Sequence, residues 1–163
     1  SAPTGKYDPD LERKRLPLGF NLGRNAWIPQ LNSRIQLQGA TWGIVAQAAT
    51  QFATWERTER HRFGRQFSTS LSAYRSITLS EQATLTPFLG SYLEKLAKDQ
   101  DYVDRDVYGT GGRGWFGQLG TELLLGKTSF NLLWQIPLST HYSDGDVVAD
   151  HRLQFSAAYF FNR

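Results

Sequence analysis

Ser139, His141 and Asp144 bring a hydroxyl, an imidazole and a carboxylate together on one short segment near the end of the chain. These are the residue types of a hydrolase site, in which a base activates a nucleophile and an acid orients the base. Neighbouring positions of a single loop rarely supply the geometry that this chemistry needs. We therefore predict that the protein is not an enzyme and has no catalytic residues.

The histidines and two glycine-rich segments are the other candidates for chemistry. His61, His141 and His151 lack the spacing of metal ligands, and the chain has no cysteine, so we expect no metal site and no cofactor. The segment 120–128 is one residue too long for a phosphate-binding GxxxxGK[ST] loop. The segment 109–114 is not followed by a helical pattern. Both segments are typical of turns and loops.

Polar side chains recur at every second position in several segments, and this spacing predicts a polar face. A strand places alternate residues on opposite faces of its sheet. If the apolar rows face outward, amides and charges of both signs line a lumen, which suits either passage of a small solute or a plug of hydrogen-bonded side chains. The predicted lumen-lining residues are Arg34, Gln36, Gln47, Gln51, Gln118, Glu122, Asn131, Gln135, Arg152 and Gln154.

The elements that would position these residues are β-strands. The clearest alternation runs from Phe130 through Leu132, Trp134 and Ile136 to Leu138, with polar residues between them. About 9–11 residues suffice for a tilted strand to cross a membrane. The predicted strands are about 30–37, 42–55, 66–77, 82–96, 114–125, 129–139 and 152–162.

One uncharged segment, 35–55, is also long enough for a membrane-spanning helix, and Gly39 and Gly43 form a GxxxG pair in it. Its glutamines and threonines would need hydrogen-bond partners inside a membrane, and too few residues are strongly apolar to offset that cost. We therefore predict two strands joined by a tight turn at 38–41.

The connections between the predicted strands alternate strictly in length. Those at 38–41, 78–81 and 126–127 are short, whereas those at 56–65, 97–113 and 139–150 are long and carry most of the charge. Short periplasmic turns and long external loops are typical of transmembrane β-barrels. The sequence thus predicts an all-β, antiparallel up-and-down transmembrane β-barrel, as a single domain over 1–163 with about seven to eight visible strands.

The predicted strand number raises the question of whether the barrel is complete. Single-chain bacterial barrels have even strand numbers, and seven strands are well formed. We interpret the chain as the C-terminal portion of a larger barrel, because Pro17 and two glycines make 16–23 a poor strand. The alternative is that the apolar row Leu16, Leu18, Phe20 and Leu22 forms an eighth strand and the barrel closes.

Composition agrees with a two-faced β-structure. Apolar residues make up 40% of the chain and aromatic residues 13%, so bulky groups are interspersed with polar ones. The net charge is only +3, and bases and acids are intermingled, which argues against a nucleic-acid partner. Aromatic residues near strand ends predict interfacial girdles, and these are Trp42, Trp55, Tyr74, Trp115, Tyr142 and Tyr159.

The end of the chain resembles the C-terminal recognition strand of bacterial outer-membrane proteins. Leu153, Phe155, Ala157, Tyr159 and Phe161 form an alternating apolar row that closes on an aromatic residue, although Asn162 and Arg163 follow it. The resemblance implies location in the outer membrane of a Gram-negative bacterium and recognition by the barrel-assembly machinery. Short motifs at 3–7, 18–23 and 135–138 resemble a transporter-like barrel family associated with aromatic-degradation (meta-pathway) genes.

Three functions from different classes follow. The first is a porin-like outer-membrane channel or transporter-like protein for a small solute, in contact with outer-membrane lipids and lipopolysaccharide. The second is a structural or adhesive outer-membrane barrel whose long charged loops bind lipopolysaccharide or a partner. The third is a soluble, lipocalin-like ligand-binding barrel, in which the apolar rows face inward.

Overall fold

The computed structural model describes residues 27–52, 62–101 and 103–161. They form one antiparallel sheet of eight strands, in the order β1-β2-β3-β5-β6-β7-β8 with β4 paired to β5. The only helical segment among them is a single 3₁₀ turn, Ser143–Gly145. The strands are β1 Gln30–Gln38, β2 Trp42–Gln51, β3 Gln66–Arg75, β4 Ile77–Ser80, β5 Ala83–Leu96, β6 Gly112–Leu125, β7 Thr128–Tyr142 and β8 Arg152–Tyr159.

Strands β3 and β4 are two halves of one interrupted strand. Tyr74 pairs with Phe88, and Ile77 pairs with Leu85, in the same register along β5. The interruption is at Ser76, whose amide instead donates to the carbonyl of Thr41 at 2.7 Å. The observed path therefore corresponds to the seven predicted strands, and the predicted all-β, antiparallel meander is confirmed.

The uncharged segment that starts at Ile35 forms strands and not a helix. It contains the end of β1, a tight turn at 39–41 and all of β2. The amide of Gly39 donates to the carbonyl of Trp42 at 2.8 Å and closes the turn. The glutamine side chains of both strands lie on the same face of the sheet, so none of them lies in an apolar row. Residues 53–55 lie outside the described part of the chain.

The connection lengths alternate in the structure as predicted. The strands end at short turns at 39–41, 81–82 and 126–127, and at long connections at 52–65, 97–111 and 143–151. Gly126 adopts a φ of +55° in its turn, which a glycine tolerates without the steric cost of a side chain. Because consecutive strands are antiparallel, all short turns lie at one end of the sheet and all long connections at the other. We call these the turn end and the loop end.

Closure into a barrel is not seen in the described residues. β1 pairs only with β2, and β8 pairs only with β7, so the sheet is open with an edge at each side. The predicted closed barrel is therefore not shown, because no ladder of hydrogen bonds joins the first strand to the last. The alternative eighth strand, at Leu16–Leu22, lies outside the described residues.

The sheet has no conventional buried core. Phe116 is the one fully buried large apolar side chain among the described residues. On the face of the sheet that carries Phe116, two aromatic rings lie over glycines of neighbouring strands. Tyr74 covers Gly43, and Phe88 covers Gly120. A side chain at either glycine would collide with the ring. Small residues thus allow bulky rings to lie flat along this face.

Candidate functional site

All ten predicted lumen-lining residues lie on one face of the sheet, here called the polar face. Directly paired residues of an antiparallel sheet share a face, and the pairs run unbroken across the strands. Gln36 pairs with Val45, which pairs with Ser72, and Gln118 pairs with Gln135. The ten residues are Arg34, Gln36, Gln47, Gln51, Gln118, Glu122, Asn131, Gln135, Arg152 and Gln154.

The opposite face, here called the apolar face, exposes large hydrophobic side chains on every long strand. Ile35 is 67% exposed and Leu153 is 73% exposed. A soluble sheet buries such a face against a second layer, and no second layer covers it in the described residues. The exposed set on the strands is Leu31, Ile35, Leu37, Trp42, Ile44, Phe67, Leu71, Ile77, Leu79, Leu89, Leu93, Trp115, Leu119, Leu125, Leu132, Trp134, Leu138, Leu153, Phe155 and Tyr159.

Charge is distributed differently on the two faces. The polar face carries Arg34, Glu94, Glu122 and Arg152 among its strand residues. The Asp, Glu, Lys and Arg residues that the strands place on the apolar face are Arg75, Lys95 and Arg113. Lys95 and Arg113 lie next to the ends of their strands, and Arg75 lies at the break between β3 and β4. Apart from Arg75, the middle of the apolar face is therefore an uncharged band.

Side-chain contacts that skip strands occur on the polar face. The amide of Gln36 on β1 donates to the hydroxyl of Tyr74 on β3 at 3.0 Å. The guanidinium of Arg152 on β8 lies 4.2 Å from the centre of the Phe116 ring on β6. On the apolar face, the contacts among described strand residues join neighbouring strands, as between Trp115 and Ser91. Side chains can reach across a strand only on the face towards which the sheet curves. The sheet is therefore concave on its polar face.

Among the described residues of the polar face, Glu94 has the most side-chain partners, and it was not among the predicted lumen-lining residues. The two terminal guanidinium nitrogens of Arg152 donate to its carboxylate, at 2.8 and 3.3 Å. The hydroxyl of Tyr142 donates to the same carboxylate. Period-two alternation does place Glu94 on the polar side of its strand. The sequence carries no signal that β5, β7 and β8 converge on it.

Two grooves follow the polar face near β1, β2, β3 and β5. One has a volume of about 330 Å³ and is lined by amides, hydroxyls, Arg34 and Tyr92. The other has a volume of about 190 Å³ and includes Gln51, Tyr92 and Glu94. Both present hydrogen-bonding groups with few charges. The predicted lumen residues that line them are Arg34, Gln47 and Gln51.

At the loop end, two of the long connections are joined by polar contacts. Lys98 forms a 2.5 Å ion pair with Asp144, whose carboxylate also accepts from the amide of Gly109. The hydroxyl of Tyr108 donates to Asp146 at 2.8 Å. The hydrogen bond from Lys98 lowers the pKa of Asp144, and the same contact raises the pKa of Lys98. These contacts hold 97–111 against 143–146.

The described members of the hydrolase candidate do not form a catalytic arrangement. Ser139 and His141 lie on the same face of β7, but no hydrogen bond joins their side chains in the structure. The carboxylate of Asp144 is directed to Lys98 and Gly109 instead.

The other candidates for chemistry were the histidines and the two glycine-rich segments. His151 accepts through Nδ1 from the indole of Trp134 at 3.1 Å, and His61 lies outside the described residues. Within the described ranges, no group of three His, Asp or Glu residues is arranged to hold a metal. Lys127 lies in the turn between β6 and β7, and Gly112 and Gly114 already belong to β6.

The predicted aromatic girdle is partly wrong. Trp42, Trp115 and Tyr159 lie on the apolar face near strand ends and are about half exposed. Tyr74 and Tyr142, in contrast, lie on the polar face and bind Gln36 and Glu94. Their hydroxyls have hydrogen-bond partners there, as tyrosine hydroxyls usually do where they are partly buried. Trp55 lies outside the described residues.

The predicted assembly strand forms β8, the edge of the sheet, and the residues just after it. Its apolar row shares the apolar face with Phe130 and Leu132 of β7, which pair with Ala157 and Phe155. Phe155 stacks on Phe130 with 6.4 Å between ring centres. The strand itself ends at Tyr159, shorter than predicted. The row is Leu153, Phe155, Ala157, Tyr159 and, beyond the strand, Phe161.

Comparisons of the chain with protein-family models, with curated proteins and with solved structures find no match. Among the described residues, no helix is long and apolar enough to cross a bilayer.

Proposed function

We propose that this chain forms part of a bacterial outer-membrane β-barrel that acts as a channel or transporter-like protein for a small solute. The observation that carries the proposal is the uncharged, exposed band on the apolar face. In water, such a band strongly promotes aggregation. Against lipid it is the outer surface that a membrane barrel needs, and charges are tolerated only near the interfaces.

The length of the strands supports this placement. On β5, the apolar face carries no charge from Ala83 to Leu93, and Lys95 lies beyond it. At about 3.4 Å per residue this part is about 34 Å long, and a strand tilt of about 45° reduces its height to about 24 Å, close to the apolar band of about 25 Å on membrane barrels. The long connections, in this placement, are external, and the short turns face the periplasm.

The polar face then lines the lumen. Its grooves offer amide and hydroxyl groups beside Tyr92 and a few charges, which suits a small polar or amphiphilic solute that binds weakly and leaves again. The solute would move by diffusion, with no cofactor. The open edges at β1 and β8 would be paired by further strands of the complete barrel, because an unpaired edge is costly in lipid.

A structural or adhesive barrel is the second candidate, and one observation favours it. Arg152, Glu94, Tyr142 and the fully buried Phe116 fill part of the concave face with mutual contacts. A lumen filled in this way conducts little. The lipocalin-like alternative is less well supported, because it requires the apolar rows on the concave side, whereas the strand-skipping contacts lie on the polar side.

The test is the behaviour of the full-length protein in membranes. We expect it to require detergent for solubility, to migrate differently on gels with and without heating, and to conduct ions in planar bilayers. A monodisperse, folded protein in plain buffer would overturn the membrane proposal. Heat-modifiable migration without conductance would select the structural barrel over the channel.

A further inference from the structure

Three basic side chains form one row across the apolar face at its loop end. Lys95 of β5 pairs with Arg113 of β6, and Arg113 pairs with His141 of β7. We call Lys95, Arg113 and His141 the basic row. Directly paired residues place their Cβ atoms about 4.5–5.5 Å apart, and like charges at such positions repel each other.

Within the described ranges no ion pair neutralises this row, and Asp144, which interacts electrostatically with His141, is itself paired with Lys98. None of the three residues forms a salt bridge within the described ranges, and all three side chains are exposed. Glu94 is next to Lys95 in sequence but faces the other way and binds Arg152 and Tyr142. Two unpaired cations side by side therefore form a site that favours an anion.

The position of the row indicates what kind of anion. One pleat towards the middle of the sheet, the same face carries Leu93 and Trp115, each 47% exposed. Towards the other side, β5 ends at Leu96 and β6 begins at Gly112. The row thus lies at the boundary between the uncharged band and the polar connections. A ligand that fits both sides has an anionic head and an apolar tail.

A further cation lies on the same side of the sheet. Arg65 precedes β3, its carbonyl accepts from Ala97, and its guanidinium lies 5.9 Å from the centre of the Phe52 ring. A cation held against an aromatic ring keeps its free edge available for hydrogen bonds to an anion. It extends the positive region along the loop end from β6 and β5 towards β3.

We propose that the basic row binds the phosphate of lipid headgroups in the leaflet at the loop end. This rests on the proposed function, since it requires the apolar face to lie in a membrane. Arg113 donates two parallel hydrogen bonds to one phosphate, and Lys95 contributes a point charge beside it. The acyl chains of the same lipid pack on Leu93 and Trp115.

The test compares lipids that differ in headgroup charge. The full-length protein is refolded into phosphatidylcholine vesicles that contain either brominated phosphatidic acid or brominated phosphatidylcholine, and tryptophan quenching reports the preference. We expect the wild-type protein to prefer phosphatidic acid. Lys95→Gln with Arg113→Gln should lower that preference by about fivefold for each charge removed.

Two matched variants serve as controls. Lys127→Gln removes a cation from the turn between β6 and β7, at the opposite end of the sheet, and should leave the preference unchanged. Lys95→Arg with Arg113→Lys keeps both charges and should retain it. Equal preference in the double glutamine variant and the wild type overturns the proposal. If added inorganic phosphate abolishes the preference, the site binds a free anion, and the proposal of a lipid ligand is overturned. A protein that enters no vesicle refutes the proposed function instead.

Discussion

Arg152 of β8 donates to Glu94 of β5 at 2.8 Å, although β6 and β7 lie between the two strands. On a flat sheet, three spacings of about 4.8 Å would separate the strands by about 14 Å. The contact therefore reports the curvature of the sheet towards its polar face. It also joins the edge strand to the middle of the sheet, and so connects strands that share no ladder.

This ion pair predicts a measurable coupling between the two residues. Glu94→Gln should lower the free energy of unfolding by about 1–2 kcal/mol, because it removes a charged hydrogen bond that is partly screened at Arg152, whose side chain is 42% exposed. Arg152→Met should cost a similar amount, and the double variant less than the sum. Unfolding titrations in lipid measure the cycle. Strictly additive effects would show that the pair does not form.

The assignment of the two faces predicts a strong parity effect on β7. Leu132→Arg places a charge in the uncharged band and should lower the free energy of unfolding in lipid by about 2–4 kcal/mol. Asn131→Arg, one residue earlier, faces the polar side next to Glu122 and should have little effect. Urea titrations of the vesicle-inserted protein measure both. Equal costs would reverse or remove the assignment of faces.

The ring-over-glycine packing predicts that two glycines of β6 differ. Gly120→Ala would push a methyl group into the Phe88 ring and the Leu132 carbonyl and should cost about 1–3 kcal/mol. Gly117→Ala is the control, because its nearest new contact is Leu138 at 3.8 Å. Thermal or urea unfolding of both variants provides the comparison. A neutral Gly120 variant would argue that Phe88 does not lie over β6.

The contact between Lys98 and Asp144 predicts how the long connections respond to pH. Asp144 has a lowered pKa, so its contribution is present above the ordinary Asp value of about 3.9 and disappears as pH falls through the folded-state value. Lys98 has a raised pKa, so its contribution is present below the ordinary Lys value of about 10.4 and is lost as pH rises beyond it.

A spin label at Val148 tests this window, because the chain has no other cysteine once Val148→Cys is introduced. The mobility of the label should be lowest from about pH 5 to 9 and should rise below about pH 3.9. Adding Asp144→Asn should make it mobile at every pH. If neither acid nor this substitution changes the mobility of the label, the ion pair does not hold the connections together.

The apolar row from Leu153 to Phe161 predicts that a substitution in it affects assembly more than it affects the stability of the folded protein. Phe161 is 81% exposed and contacts Tyr159 edge to face, with 5.1 Å between ring centres. Phe161→Ser should therefore cost little once the protein is folded, yet lower the membrane-inserted fraction in cells. Val148→Ser, at a residue 83% exposed in a long connection, is the control. Unchanged outer-membrane yield would remove the recognition-strand interpretation.

The sequence alone predicts the existence of the strands, the alternation of connection lengths and, within an uninterrupted strand, the side on which a residue lies. These properties are local, because alternate residues of a strand face opposite ways whatever its neighbours are. Gln47 and Gln135 could therefore be assigned to one face before any pairing was known. The prediction failed for Tyr74 and Tyr142, because a position near a strand end says nothing about parity.

Contacts between residues of distant strands depend on the tertiary structure. Glu94, Tyr142 and Arg152 converge through the register of three ladders and the curvature of the sheet, and the same registers align Lys95 with Arg113. A slip of one residue in any ladder would move a strand's side chains to the other face. Register is a property of paired strands and not of a single segment, so spacing along the chain does not contain it.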